Sequence, residues 1–164
     1  MTTETVQVRK ADLSDPIDGA AMLLLLDSYA SDLMGGGTPL REDVRIRLPF
    51  DLHDRPGTLV LIAWCLDSPA GLAIAFEGYS TFEARPLLNL HDFVVAPPFR
   101  GQGVARRLLS AIETEARGLG CCKITLEVLE NNFRARGIYD QAGFAGYELD
   151  PAAGKALFLQ KKLV

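Results

Sequence analysis

Three groups of residues in this chain have the types and spacing to do chemistry. The first is Phe93-Val94-Val95-Ala96-Pro97-Pro98-Phe99-Arg100-Gly101-Gln102-Gly103-Val104-Ala105, where an apolar run stops at two prolines and a glycine-containing loop opens a periodic helix. Glycines let a backbone come close to a ligand. The free N–H groups at a helix start, with the positive end of its dipole, favour an anion such as a pyrophosphate. The second group is His91-Asp92, just upstream of the apolar run, an imidazole and a carboxylate that can take a proton or hold a cation. The third is Tyr139, whose phenol can give up a proton, set in Asn132-Phe133-Arg134-Ala135-Arg136-Gly137-Ile138-Tyr139-Asp140-Gln141-Ala142-Gly143-Phe144.

Several phosphate-binding loops share a strand, a loop and a helix start, and the residues separate them. A P-loop ends in Gly-Lys-Ser/Thr, whereas Gly103 is followed by Val104-Ala105. The dinucleotide fingerprint G-x-G-x-x-G meets Gly101 and Gly103, with Glu127 or Glu130 as the later acid, but puts Arg106 where close packing needs a very small residue. Pro97-Pro98-Phe99-Arg100 also separates the strand from the glycines. The loop instead resembles that of the GNAT superfamily of acyl-CoA-dependent N-acyltransferases, Arg/Gln-x-x-Gly-x-Gly/Ala, here Arg100, Gly103 and Ala105. The downstream block is similar to the family's Asn-x-x-Ala-x-x-x-Tyr followed by Gly-Phe, here Asn132, Ala135, Tyr139, Gly143 and Phe144. The likeness is good from about Leu72 to Phe144 and poor over the first third of the chain.

The resemblance implies acetyl transfer from acetyl-CoA to a primary amine by direct attack on the thioester. It places the pyrophosphate on Arg100, Gly101, Gln102, Gly103, Val104 and Ala105. It places the pantetheine amides and the developing oxyanion on the backbone of Phe93, Val94 and Val95, adds Asn132 to the cofactor side, and makes Tyr139 the acid for the departing thiolate. An alkylammonium has a pKa near 10.4 and must lose a proton to attack, so a base is needed as well. The segments Tyr79-Ser80-Thr81-Phe82 and Leu90-His91-Asp92 resemble the diamine and spermidine/spermine acetyltransferase branch, with His91 standing where that branch has Glu. His91 is the candidate base and Asp92 the next in line. Strand alternation puts the two on opposite faces unless a bulge intervenes. Loss of the Glu removes an anionic contact for a polyamine.

The elements that must position these groups can be read in order. Val6–Lys10 alternates as a half-exposed strand. Asp15-Pro16 caps a helix to about Ser31, with Ile17, Ala20, Ala21, Leu24, Leu25 and Ser28 inward. Met34-Gly35-Gly36-Gly37-Thr38-Pro39 breaks it and reads as a hinge rather than a wall of the site. Arg41–Leu52 is a second helix. Thr58–Leu66 and Gly71–Tyr79 form a hairpin, Leu87–Val95 runs into the loop, and Gln102–Leu119 is an amphipathic helix. Lys123–Leu129 is the next strand, Asn131 or Asn132 caps the helix of Tyr139, and Phe144–Leu149 and Ala156–Leu163 are two closing strands. The order βααβββαβαββ matches the α+β GNAT fold, an α/β/α sandwich with a mixed, mostly antiparallel seven-stranded sheet flanked by helices.

Composition bounds the rest. The chain has 164 residues, 48% hydrophobic and 23% charged, which suits one domain over 1–164. A net charge of −4 argues against non-specific nucleic-acid binding and suits a cationic amine. Met1–Lys10 has no apolar signal core, and the apolar run Ala20–Leu26 is too short to span a bilayer, so a cytoplasmic protein with no membrane partner is expected. Cys65, Cys121 and Cys122 form neither a disulfide framework nor a zinc pattern, and no metal is expected. The expected partner is a small-molecule amine, and a homodimer is allowed. A protein or peptide N-acetyltransferase would keep the same cofactor loop and differ in the cleft from Asp27 to Leu52. A non-catalytic acyl-CoA sensor is the other alternative, and an intact Tyr139 argues against it.

Overall fold

The computed structural model describes residues 6–163. Packing divides the chain into two compact units, Met1–Leu126 and Glu127–Val164, each taken here by itself.

The first unit is a five-stranded sheet in sequential order: β1 (Val6–Lys10), β2 (Thr58–Cys65), β3 (Ser68–Ser80), β4 (Arg85–Val95) and β5 (Ile124–Leu126). The first three pairings are antiparallel and the last is parallel, so the sheet is mixed and mostly antiparallel as expected. Helices α1 (Pro16–Ser31) and α2 (Glu42–Asp54) precede β2, and α3 (Val104–Gly118) joins β4 to β5. The β4–α3–β5 unit is the long crossover that a parallel pair requires.

Both faces of the central strands are buried because each is covered by a helix. Met22, Leu25 and Leu26 of α1 share one core with Val60, Ile62, Leu72, Ile74 and Val94. On the other face Val104, Leu108, Leu109, Ile112 and Ala116 form the buried stripe of α3. Gly71 lets this helix close in, since a Cβ there would lie 2.9 Å from the side chains of both Val104 and Leu108.

Asp15 caps α1 as expected, its carboxylate accepting the Ile17 N–H at 2.9 Å, and Pro16 opens the helix. The expected inward face is corrected. Ile17 and Leu24 are 66% and 62% exposed, while Asp18, Gly19, Ala21, Met22, Leu25 and Leu26 are buried. The physical reason is Asp18, a charge at an inward position. It is 1% exposed, takes two 2.6 Å bonds from the Arg9 guanidinium and accepts the Asp12 N–H at 2.9 Å. With its charge and hydrogen bonds satisfied there, the helix is turned away from the face that apolar counting selects.

In the second unit the chain forms α4 (Phe133–Gln141). The closing strands expected at Phe144–Leu149 and Ala156–Leu163 are not present among the described residues, and β5 stops at Leu126 rather than Leu129. Leu157, Phe158 and Leu159 are each more than 70% exposed. Alternation and apolarity make a segment suitable for a sheet but do not supply an edge to pair with, and a hairpin without one is marginal. No helix among the described residues is long and apolar enough to cross a membrane.

Candidate active site

A β-bulge decides where the reactive groups of the first unit point. In the β3–β4 ladder Ile74 lies opposite Asp92 and Ala75 opposite Leu90, so His91 is an extra residue on β4. An extra residue resets the in–out alternation of a strand. His91 and Asp92, which strict alternation would send to opposite faces, therefore both line one cavity of about 350 Å³ beneath α1 and α2.

The cavity wall is mostly apolar. Leu26 and Ala30 come from α1, Leu48 and Leu52 from α2, and Ile74 and Phe76 from β3. The His91 ring stands edge-on to Phe76 at 5.4 Å between centroids and 61° between planes. Tyr29 and Gly35 complete one side. The glycine segment is thus part of the wall, which corrects its reading as a hinge. A Cβ on Gly35 would collide with the Tyr29 carbonyl oxygen, so the close turn onto the end of α1 requires glycine there.

Electrostatics single out Asp92. Its carboxylate makes no hydrogen bond and no salt bridge among the described residues. Burial pushes its pKa above the ordinary carboxylate range, and the charge of His91 pulls the other way. Burial also raises the Tyr29 phenol, with the negative charges of Asp92 and Asp32 adding to it. Tyr29 therefore stays a neutral hydroxyl at physiological pH.

The predicted phosphate loop has the geometry its sequence suggested. Pro97–Phe99 make a single 3₁₀ turn, and Gly101 and Gly103 then adopt left-handed backbone at φ 77° and 80°. Gly103 is the N-cap of α3, and no side chain caps that helix. A Cβ at either glycine would meet nothing within 4 Å, so the loop presents open space beside the first N–H groups of α3. Those features fit an anionic group held by backbone N–H groups.

The loop is tied down from within. Gln102 Nε2 donates to the Pro98 carbonyl at 2.8 Å. Arg100 Nε donates to the Val95 carbonyl at 3.1 Å, and its guanidinium lies 3.8 Å from the Asp32 carboxylate. Val104 is 1% exposed and packs inward, so its contribution to a ligand would be its backbone.

The parallel ladder between β4 and β5 covers only Leu88–Leu90 against Ile124–Leu126. Beyond it Phe93, Val94 and Val95 stay in register with Ala73, Leu72 and Gly71 of β3, and no ladder forms on their other side among the described residues.

Asn132 and Tyr139 belong to the second unit. The Asn132 side chain caps α4 by accepting the Ala135 N–H at 3.2 Å. Gly143 follows the helix at φ 89°. Tyr139 is 8% exposed, its ring edge-on to Phe144 at 5.7 Å and 65°. Four residues of the downstream motif thus have structural work in shaping this turn of chain. No group of three or more His, Cys, Asp or Glu able to hold a metal occurs among the described residues.

Sequence reading expected a cleft from Asp27 to Leu52 but singled out none of the residues that line this cavity there. Tyr29, Leu48 and Leu52 sit on helices whose apolar residues read as core, and nothing in their spacing separates a cavity wall from a packed interior. Phe76 lay in a quoted strand without a role. The positive signal available was the glycine segment, whose Gly35 can only be needed where backbone meets backbone.

Comparison with known proteins agrees with this architecture. A family model described as "Acetyltransferase (GNAT) family" matches residues 24–144. Thialysine N-epsilon-acetyltransferase of Bos taurus is 33% identical over 73 residues, 44% of this chain and 42% of that protein. L-ornithine N5-acetyltransferase NATA1 of Arabidopsis thaliana is 28% identical over 135 residues, 77% of this chain and 56% of that protein. The chain thus spans about half the length of these curated relatives. The solved structure of AAC(6')-Iy, in complex with a bisubstrate analog CoA-S-monomethyl-acetylneamine, superposes with a TM-score of 0.76 at 17% identity, covering 96% of this chain and 99% of that one. At that identity the likeness speaks for the fold. With the matched model spanning most of the chain, the protein belongs to the GNAT acetyltransferase family.

Proposed function

We propose that this protein is an acetyl-CoA-dependent N-acetyltransferase that moves an acetyl group to the primary amine of a small molecule. The observation that carries the reading is the bulge at His91. It aims an imidazole and an unpaired carboxylate into one cavity on the strand that leads into an open, uncapped helix start.

Acetyl-CoA would supply the activated acetyl thioester. The chain would hold its pyrophosphate on the backbone from Arg100 to Ala105 and its amide arm along Phe93–Val95, with Asn132 assigned to the same cofactor by its motif. Asp92 holds the substrate ammonium, and His91 takes the proton that must leave before nitrogen can attack. As the N–C bond forms and the C–S bond breaks, the departing sulfur takes a proton, a role assigned to Tyr139 by its motif alone. Arg100 keeps the loop in place through Val95 and Asp32.

The named relatives act on amines of small molecules, and this supports the small-molecule reading over a peptide acceptor. A cytoplasmic location and action without nucleic acid or membrane are part of the same proposal.

The test is turnover of acetyl-CoA with an amine panel over pH. With His91 as the base, His91→Ala lowers kcat/KM and changes its pH profile while leaving acetyl-CoA affinity unchanged. An unaltered rate and profile in His91→Ala would move the base to Asp92 or to a water.

A further inference from the structure

The wall of the amine cavity carries information about the acceptor that the family resemblance does not. Asp92 is the only acid among the residues that line it, and no lysine or arginine lines it. The carboxylates on the adjoining stretch are already engaged. Asp27 accepts from Arg45 at 2.8 Å and from the Leu40 N–H at 2.8 Å, and Asp32 lies 3.8 Å from Arg100. The Arg55 guanidinium lies over the Phe76 ring, 5.2 Å from its centroid.

A substrate with one ammonium can pair it with Asp92. A second ammonium, as in a diamine or polyamine, finds no second carboxylate on this wall. A carboxylate on the substrate would find no lysine or arginine on this wall to offset its charge and would stand near the carboxylate of Asp92. What the wall offers away from Asp92 is apolar surface from Leu26, Leu48, Leu52, Ile74 and Phe76.

We infer that the acceptor is a primary monoamine with an uncharged, apolar body, an arylalkyl or branched alkyl amine, whose ammonium docks on Asp92 and whose body lies on the leucines of α1 and α2 against Phe76. This rests on the N-acetyltransferase reading and narrows it away from polyamines and from amino acids with side-chain amines.

The test compares 2-phenylethylamine and 3-methylbutylamine with 1,4-diaminobutane, spermidine and ornithine, in two independent assays. One is N-acetyl product formation from acetyl-CoA. The other is direct binding of each amine to the protein, by calorimetry with and without CoA. The monoamines should exceed the diamine, the polyamine and ornithine by at least about tenfold in kcat/KM and in affinity, since a misplaced charge or lost apolar contact costs that much. Asp92→Asn should lose monoamine binding while its CoA-dependent thermal stabilisation persists. Leu48→Asp, which adds a carboxylate at a half-buried position, should move the preference toward 1,4-diaminobutane. Monoamine binding that depends on Asp92 without any acetyl transfer would uphold the pocket assignment and overturn the enzymatic reading. Preferred turnover or binding of spermidine, 1,4-diaminobutane or ornithine would overturn the pocket assignment and leave acetyl transfer standing.

Discussion

The two units of this chain solve the same problem unequally. In the first, β2, β3 and β4 each have a strand on both sides or a helix on both faces, and their central residues are fully buried. In the second, α4 is well capped at Asn132, yet the described residues after Gly143 form neither strand nor helix beyond one 3₁₀ turn at Pro151–Ala153. The sequence patterns of the two regions are alike in apolar content, so pattern alone does not produce a sheet. A strand needs a paired edge.

That contrast sharpens most through the proposed cofactor loop, which belongs to the first unit. Gly103→Val forces a β-branched residue to φ 80° and fills the open space beside α3. It should abolish thermal stabilisation by CoA, which differential scanning fluorimetry would read directly. Stabilisation of the wild type by NAD or ATP in place of CoA would break the assignment.

A smaller effect is expected from the second unit's one buried functional candidate. Tyr139→Phe deletes a hydroxyl and keeps the ring against Phe144, so the fold should survive while kcat falls at least about tenfold. Wild-type turnover in this variant would leave the second unit with a structural role only.

Asp18 tests what holds the first unit together. Its pKa is held below the ordinary carboxylate range chiefly by the hydrogen bond from Arg9. A depressed folded pKa contributes stability that is present above the unfolded value, near 3.9, and lost as pH falls through the folded one. Asp18→Ala should therefore cost on the order of 2 kcal/mol at pH 7, from the lost charged hydrogen bonds, and the difference should shrink below about pH 4. Urea unfolding at several pH values measures this.

Asp92 should show the opposite sign. Its pKa is raised by burial, so its ionisation opposes folding, and its favourable contribution is lost as pH rises through the folded value. Asp92→Asn should raise Tm slightly at pH 7, with the gain vanishing as pH falls toward the ordinary carboxylate range. A Tm below wild type would mean that the carboxylate has a stabilising partner.

The legibility of the molecule in its sequence follows the same division. The helix caps, the two-glycine loop and the strands from Thr58 to Val95 were readable because each is set by local chemistry, Asp15-Pro16 for α1 and the glycines for α3. Two features were not. The inward face of α1 turned on Asp18 finding Arg9, a pairing between residues on different elements. The shared direction of His91 and Asp92 turned on a bulge, whose position is fixed by the ladder to β3 and leaves no mark in a one-strand pattern.

The measurement that bears most directly on the central claim is mass-spectrometric product analysis of acetyl-CoA incubated with a primary amine and the wild-type protein, Asp92→Asn or Tyr139→Phe. N-acetylated amine and free CoA in equal amounts with the wild type, and at least about tenfold less with either variant, is the result expected for a bulge-built acetyltransferase site. Free CoA without acetylated amine, or equal product from all three proteins, would contradict it.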